Sequence, residues 1–235
     1  MQVESKEAAR RGIGDLGVCM SKTESDRTNV PAGLLGSRAP RRSLALLLEA
    51  VRACRVCEAH LPLGPRPVLQ AHEAAKILLV GQAPSARVHE SGKPWDDASG
   101  QRLRAWMGID SATFYDPTQT AIIPVAYCYP GRAASGDLPP RPECAKLWLD
   151  RLMAELPQRS LTLLIGRHAQ REFLGAHRKA SLTDTVRAWR DYAPTYIPMP
   201  HPSPRNQLWL RRHPWFEAEV VPALRAQVQR ALASG

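Results

Sequence analysis

No stretch of this chain reaches the ~18 consecutive apolar residues that a membrane-crossing helix needs. Its first residues, MQVESKEAARRGIG, lack the apolar centre of a secretory signal. The cytoplasm is therefore the expected compartment, and no membrane partner is expected. No internal repeat is visible, which excludes a solenoid or propeller. Cysteine is scarce and odd in number, at five residues: Cys19, Cys54, Cys57, Cys128 and Cys144. An odd count in a reducing compartment argues against a disulfide framework. Acidic residues are also in deficit, 22 against 32 basic ones, for a net charge of +10.

That surplus has two readings. One is a general preference for arginine; the other is a polyanionic partner, drawn to a basic face by release of counterions. The 235 residues are 44% hydrophobic, enough for one packed core. Residues 1–40 mix Arg, Ser, Gly, Thr and Pro without periodicity and read as a flexible leader that contains Cys19. Residues 41–235 read as one domain, expected to be monomeric. The spacing of Cys54 and Cys57 suits a metal ion or a cluster.

Strand and helix patterns alternate through the domain. Leu44, Leu46, Leu47, Leu48, Val51 and Cys54 place an apolar stripe on a helix over residues 43–57. Short β-branched and leucine runs predict strands at 77–80, 120–125, 161–165 and 196–199. Helices are expected at 101–108, 141–156, 167–174, 182–189 and 209–232, the last restarting at Pro214 and broken at Pro222. Residues 82–99 read as one long polar loop. The alternation predicts an α/β fold, a three-layer αβα sandwich around a central, mostly parallel four-stranded sheet. Chemistry in such folds gathers beyond the carboxyl ends of the strands. The loop that opens at Gly81 and the one over residues 199–206 are thus the first candidates for a site.

The order KILLVGQAPS, HESGKPWDDASGQRL, AYCYPG and HPSPRN resembles the uracil-DNA glycosylase superfamily, with its iron–sulfur class the nearest branch. In that class a GEAPG-type motif precedes E-x-G-x-P-F, and an HP-x-x loop closes the site. The resemblance implies DNA containing a damaged base as partner and hydrolysis of the base–sugar bond as reaction. His201 stands at the catalytic histidine of the family, and Gln82 at the residue that contacts base and water. Gly81, Ala83 and Pro84 complete that substrate loop. Trp95 replaces the aromatic that stacks on the extruded base. Ser203, Arg205 and Asn206 fall in the loop that grips DNA and fills the vacated space. Arg211 and Arg212 extend it, or form an ordinary solvated helix face. Cys54, Cys57, Cys128 and Cys144 match the early close pair and later wide pair that hold a [4Fe–4S] cluster, although four thiolates satisfy tetrahedral zinc equally.

The sequence also departs from the family. Relatives carry a carboxylate in the first motif, yet Gln82 and Ala83 are both uncharged. The class places a base-reading Asn four residues before its third cysteine, where this chain has Pro124. Asp97, with Asp96 and Asp137, supplies carboxylates on the same loops that can take over the missing role. Two alternatives to a glycosylase stay open: a lesion- or abasic-site-binding protein that performs no chemistry, and a zinc-stabilised nucleic-acid-binding module.

Overall fold

The structure is a computed structural model that describes residues 41–134 and 136–234. The leader expected over residues 1–40, with Cys19, lies outside the described residues. In chain order the elements are α1 (Arg41–Arg52), β1 (Ile77–Val80), α2 (Ala86–Ser91), α3 (Ala98–Met107), α4 (Ser111–Tyr115) and β2 (Thr120–Ile122). A small hairpin of β3 (Arg132–Ala133) and β4 (Gly136–Asp137) follows. Then α5 (Pro142–Cys144) and α6 (Asp150–Ala154) form the two ends of one helix, joined by a π-helical turn at Ala145–Leu149. The chain continues through β5 (Leu161–Ile165), α7 (Gly166–Leu174), α8 (Leu182–Arg187), β6 (Tyr196–Met199), α9 (Gln207–Arg212) and α10 (Val221–Ala233).

Four strands form one sheet in the order β2-β1-β5-β6, and all three pairings are parallel. A parallel sheet must be covered on both faces, which is why its strands read as unbroken apolar runs. Alternation along β1 divides the core. Leu78 and Val80 face a cluster built with α1, α6 and α7, whereas Ile77 and Leu79 face one built with α3, α4, α8 and α10. The expected three layers are present. The outer edge of β2 is covered by Gln70, whose backbone exchanges two hydrogen bonds with Ile122 (2.9 and 2.7 Å). Covering an edge in this way keeps it from pairing with other chains.

Several boundaries differ from expectation, each for a local reason. The first helix stops at Arg52 rather than at residue 57, because the buried stripe Leu44, Leu47, Leu48 and Val51 ends there. Cys54 and Cys57 therefore sit in turns. The second strand ends at Ile122 and not at residue 125, since Pro124 has no N–H to donate. Ile123, Val125 and Ala126 keep single backbone bonds to Leu79, Gly81 and Gln82. The expected loop 82–99 contains α2, capped by Ser85 and stopped by Gly92 at φ +69°. It buries only Val88, too little to leave an apolar stripe. The same holds for α4, which is capped by Asp110 and buries only Phe114. Pro214 does precede a restart, but Pro222 causes no break. It occupies the second position of α10, behind a π-helical turn at Phe216–Val220 where the ordinary hydrogen-bond ladder is already altered.

One packing constraint fixes where α3 begins. A Cβ on Gly100 would lie 1.8 Å from the carbonyl oxygen of Trp95, so the loop before α3 crosses the helix directly over that residue. Replacing Gly100 by Ala is expected to cost ~2–3 kcal/mol through overpacking. Gly64→Ala, at φ +75° with no neighbour within 4 Å, should cost only the ~1–2 kcal/mol of a left-handed backbone. Urea unfolding of both variants checks this; equal midpoints would contradict the close crossing.

Candidate active site

Strand β1 lies between β2 and β5, so the sheet is extended in opposite directions from it, and the carboxyl ends on either side diverge. Such a switch point is where open parallel sheets leave a crevice. Here it is a cleft of about 590 Å³. Gly81, Gln82, Ala83 and Pro84 enter it from the end of β1, Gly166 and Arg167 from the end of β5, and His201 from the end of β6. Pro124, beyond β2, also lines it. The first motif is held by its backbone: the carbonyls of Gly81 and Gln82 accept the N–H groups of Val125 and Ala126, each at 3.0 Å.

His201 is the most tightly specified side chain in the cleft. Its Nδ1 accepts the backbone N–H of Ser203 at 3.2 Å. An accepting Nδ1 places the proton of the neutral ring on Nε2. Enclosure by protein pulls the imidazole pKa down to about 4, against a smaller opposing pull from Asp97. At neutral pH the ring is therefore uncharged and presents one N–H donor. The loop that carries it is clamped twice. Asn206 Nδ2 donates to the His201 carbonyl at 2.7 Å. Arg102, from α3, donates to the carbonyls of Pro202 (3.4 Å) and Ser203 (3.3 Å) and to Gln207 Oε1 (3.1 Å). Arg102 carries no motif signal, and its role is visible only once α3 is packed beside the loop.

Trp95 adopts φ +56°, a left-handed conformation that costs a non-glycine residue ~1–3 kcal/mol and persists only where its surroundings enforce it. The enforcement is visible. Its carbonyl accepts the Tyr115 hydroxyl at 3.3 Å. Its indole packs so closely on Gly81 that a Cβ there would approach within 2.9 Å. The ring lies 5.5 Å from the His201 ring, tilted by 32°. Asp97 lines the cleft too, but Oδ1 caps α3 by accepting the Gly100 N–H at 2.9 Å. Asn206 is likewise engaged, as the clamp on His201.

The expected DNA-contacting residues separate into two groups. Ser203 and Arg205 line the cleft mouth, with the Ser203 hydroxyl accepting the Arg205 N–H at 3.2 Å. Arg211 is exposed in the last turn of α9 and does not line the cleft. Arg167, which the sequence reading passed over, does line it. So does Asp137, on β4.

The four expected metal-ligating cysteines come together at a second place. Cys54, Cys57, Cys128 and Cys144 line one small apolar cavity with Tyr127 and Arg141. All four are free thiols. Burial pushes Cys144 up to about 12 and Cys128 up to about 11. Cys57 is raised as well, by burial and by Glu143, while a hydrogen bond from Arg141 opposes the rise. Among the described residues no three His, Cys, Asp or Glu side chains are grouped closely enough to bind a metal ion as they stand. No described helix is long and apolar enough to cross a membrane.

Residues 70–225 match the family model described as Uracil DNA glycosylase superfamily. The match runs from the Gln70 bridge into α10 and takes in all four sheet strands and every cleft-lining residue except Val68. By that match, spanning well over half of its length, the chain belongs to the uracil DNA glycosylase superfamily.

Proposed function

We propose that this protein is a base-excision glycosylase that hydrolyses the N-glycosidic bond of uracil or another deaminated or damaged base extruded from DNA. The observation that carries the reading is the neutral His201 in the cleft wall, with Nδ1 occupied by Ser203 and its proton therefore left for Nε2. The departing base takes the bonding electron pair and becomes an anion, so a preset donor stabilises the transition state more than the ground state. A neutral donor suits this task because it needs no buried charge before the base anion forms. The extruded base must leave the stack to reach the cleft, and Trp95 offers an aromatic face whose stacking contributes ~1–3 kcal/mol. With Pro124 at the position where relatives read the base, Gln82 is the nearby side chain with both a donor and an acceptor. The lack of a carboxylate in the first motif favours a second reading, a protein that binds lesions or abasic sites without cutting.

We also propose that Cys54, Cys57, Cys128 and Cys144 hold a [4Fe–4S] cluster. The support is their convergence on one cavity as free thiols, in surroundings where unpaired thiolates are disfavoured and a cationic centre would offset that penalty. Such a centre supplies cross-linking rather than bond chemistry. The residues themselves join the turn after α1, the segment after β2 and the start of the α5–α6 helix.

Three outcomes are expected. Single-turnover excision from oligonucleotides carrying uracil, hypoxanthine or xanthine should fall ~10²–10³-fold in His201→Ala, the effect of deleting one oxyanion donor. DNA affinity should change little. Because the folded pKa is depressed to about 4, the active neutral form persists as pH falls from 7 to 5, and the His201-dependent rate should fail only on approach to pH 4. A parent enzyme that excises none of the three bases yet binds them selectively would establish the binding reading instead.

The purified protein should absorb visible light and contain iron, and Cys128→Ala should lose both properties and melt earlier. Colourless protein with one zinc per chain would assign the site to zinc. Arg205→Ala should weaken binding to all DNA sequences alike and flatten the salt dependence by about one unit. An unchanged slope would place Arg205 off the DNA path.

A further inference from the structure

An ion pair sits against Cys57 that neither the cleft nor the set of thiols explains. In the run from Arg141 to Cys144, Pro142 opens the α5–α6 helix and keeps the residue before it out of the helical region. Arg141 is accordingly extended, at ψ 126°. Its side chain turns to Glu143, where Nε donates to Oε2 at 3.1 Å and Nη2 donates to Oε1. A two-pronged bond of this kind fixes the plane of the guanidinium. The two side chains are 31% and 35% exposed, against 69% and 52% for the Arg55–Glu58 pair that flanks Cys57 in sequence. The first pair is the less solvated, so its charges are the less screened.

That pair meets a different part of the chain at the cysteine cavity, which Arg141, Cys57 and Cys144 all line. Cys57 is buried, and it touches both partners: Arg141 donates a hydrogen bond to its sulfur, and its thiol donates one to Glu143. The negative charge of Glu143 works against a thiolate at this position, and Arg141 works for it. Cys128 and Cys144 are served differently, by the backbone N–H groups of Arg66 and Tyr127. The Tyr127 hydroxyl, on the same cavity, is buried with no hydrogen-bond partner. Such an atom is uncommon in a wall that takes no bound group.

We infer that Arg141 steadies the negative charge of the four-cysteine centre through the Cys57 sulfur, and that Glu143 both aims Arg141 and limits its effect. This inference rests on the reading of Cys54, Cys57, Cys128 and Cys144 as metal ligands. Four thiolates around an oxidised [4Fe–4S] core, or around Zn²⁺, leave about two negative charges. Adding one electron to a cluster adds one more. Ligation removes the thiol proton, so Cys57 then loses its bond to Glu143 and keeps the one from Arg141. A guanidinium stays charged throughout, and its fork lets one edge hold the carboxylate while another nitrogen meets the sulfur. Arg141 is a positioning and tuning residue, acting on the centre through one of its ligands.

The test uses the complete metal-loaded protein and two substitutions with opposite expected signs. Arg141→Gln removes the cation and leaves the carboxylate; Glu143→Gln removes the carboxylate and leaves the cation. Metal analysis and the visible spectrum of the parent read the centre itself. With a cluster present, spectroelectrochemistry should show the reduction potential of Arg141→Gln lower by ~59 mV, a tenfold change for a one-electron couple, and that of Glu143→Gln higher. Metal release to a chelator should be about tenfold faster in Arg141→Gln and slower in Glu143→Gln, a readout that serves iron and zinc alike. A colourless zinc protein would therefore overturn the cluster, while the chelator rates would still decide the role of Arg141. Arg55→Gln, which alters the exposed pair beside Cys57, should move neither quantity. Shifts of the same sign in Arg141→Gln and Glu143→Gln would reveal a loss of packing and overturn the inference, as would no shift in either. A parent holding neither iron nor zinc would overturn it together with the metal reading.

Discussion

The ladder that β1 makes with β5 and β2 fixes where the cleft opens. Its residues from Ile77 to Val80 are fully buried, with Ile77, Leu78 and Leu79 paired on both sides and Val80 paired to β5, so the sheet has no freedom to slide along them. A one-residue slip would turn Leu78 and Val80 into the wrong core and expel Ile77 and Leu79 from the other. Register at the centre therefore sets the level at which every carboxyl end emerges. Gly81, Gly166 and His201 reach the cleft because the strands before them are locked at that level. The site is a by-product of core packing, and this is why loop residues as far apart as Gln82 and His201 meet.

Within that frame the electrostatic design works by exclusion. Enclosure of His201 removes solvent that would otherwise stabilise an imidazolium, and Asp97 only partly opposes the effect. The ring stays neutral, and the Ser203 N–H selects which nitrogen keeps the proton. Donor strength is then gained from the low local dielectric rather than from charge. The arrangement needs a rigid loop, since a donor aimed at an anion loses value within a fraction of an ångström. Arg102 and Asn206 supply that rigidity, one from a neighbouring helix and one from within the loop.

How much of this was readable in the sequence depends on whether the signal was local. The strands at 77–80, 161–165 and 196–199 were legible to the residue because each is a short apolar run closed by a polar or glycine-rich loop. The parallel sheet followed from their alternation with helices. The family resemblance placed His201, Gln82 and Trp95 at one cleft, and the cysteine pattern it implies placed four thiols at one cavity. What escaped was short or relational. The helices α2 and α4 bury one residue each, and the β3–β4 hairpin consists of two-residue strands. None has a period long enough to detect. Arg102 acts through neighbours distant in sequence, and Arg167 reaches the cleft only through the order of the strands; no spacing rule reveals either. The left-handed Trp95 illustrates the same limit: its strain is tolerated only because Gly81, Gly100 and Tyr115 surround it.

The cysteine cavity and the cleft share one piece of chain. The segment from Cys128 to Cys144 begins and ends at the cavity and, between those points, sends a hairpin to the mouth of the cleft. Two-residue strands have too little pairing to hold a conformation in water by themselves. The hairpin lies between the cysteine wall on one side and the Arg205 guanidinium, which approaches Gly136, on the other. Arg205 belongs to the loop that also carries His201, so the hairpin spans from the cysteine cavity to that loop. A cluster bound by the cysteines would stiffen one side of this segment, and DNA bound at the cleft would meet the other.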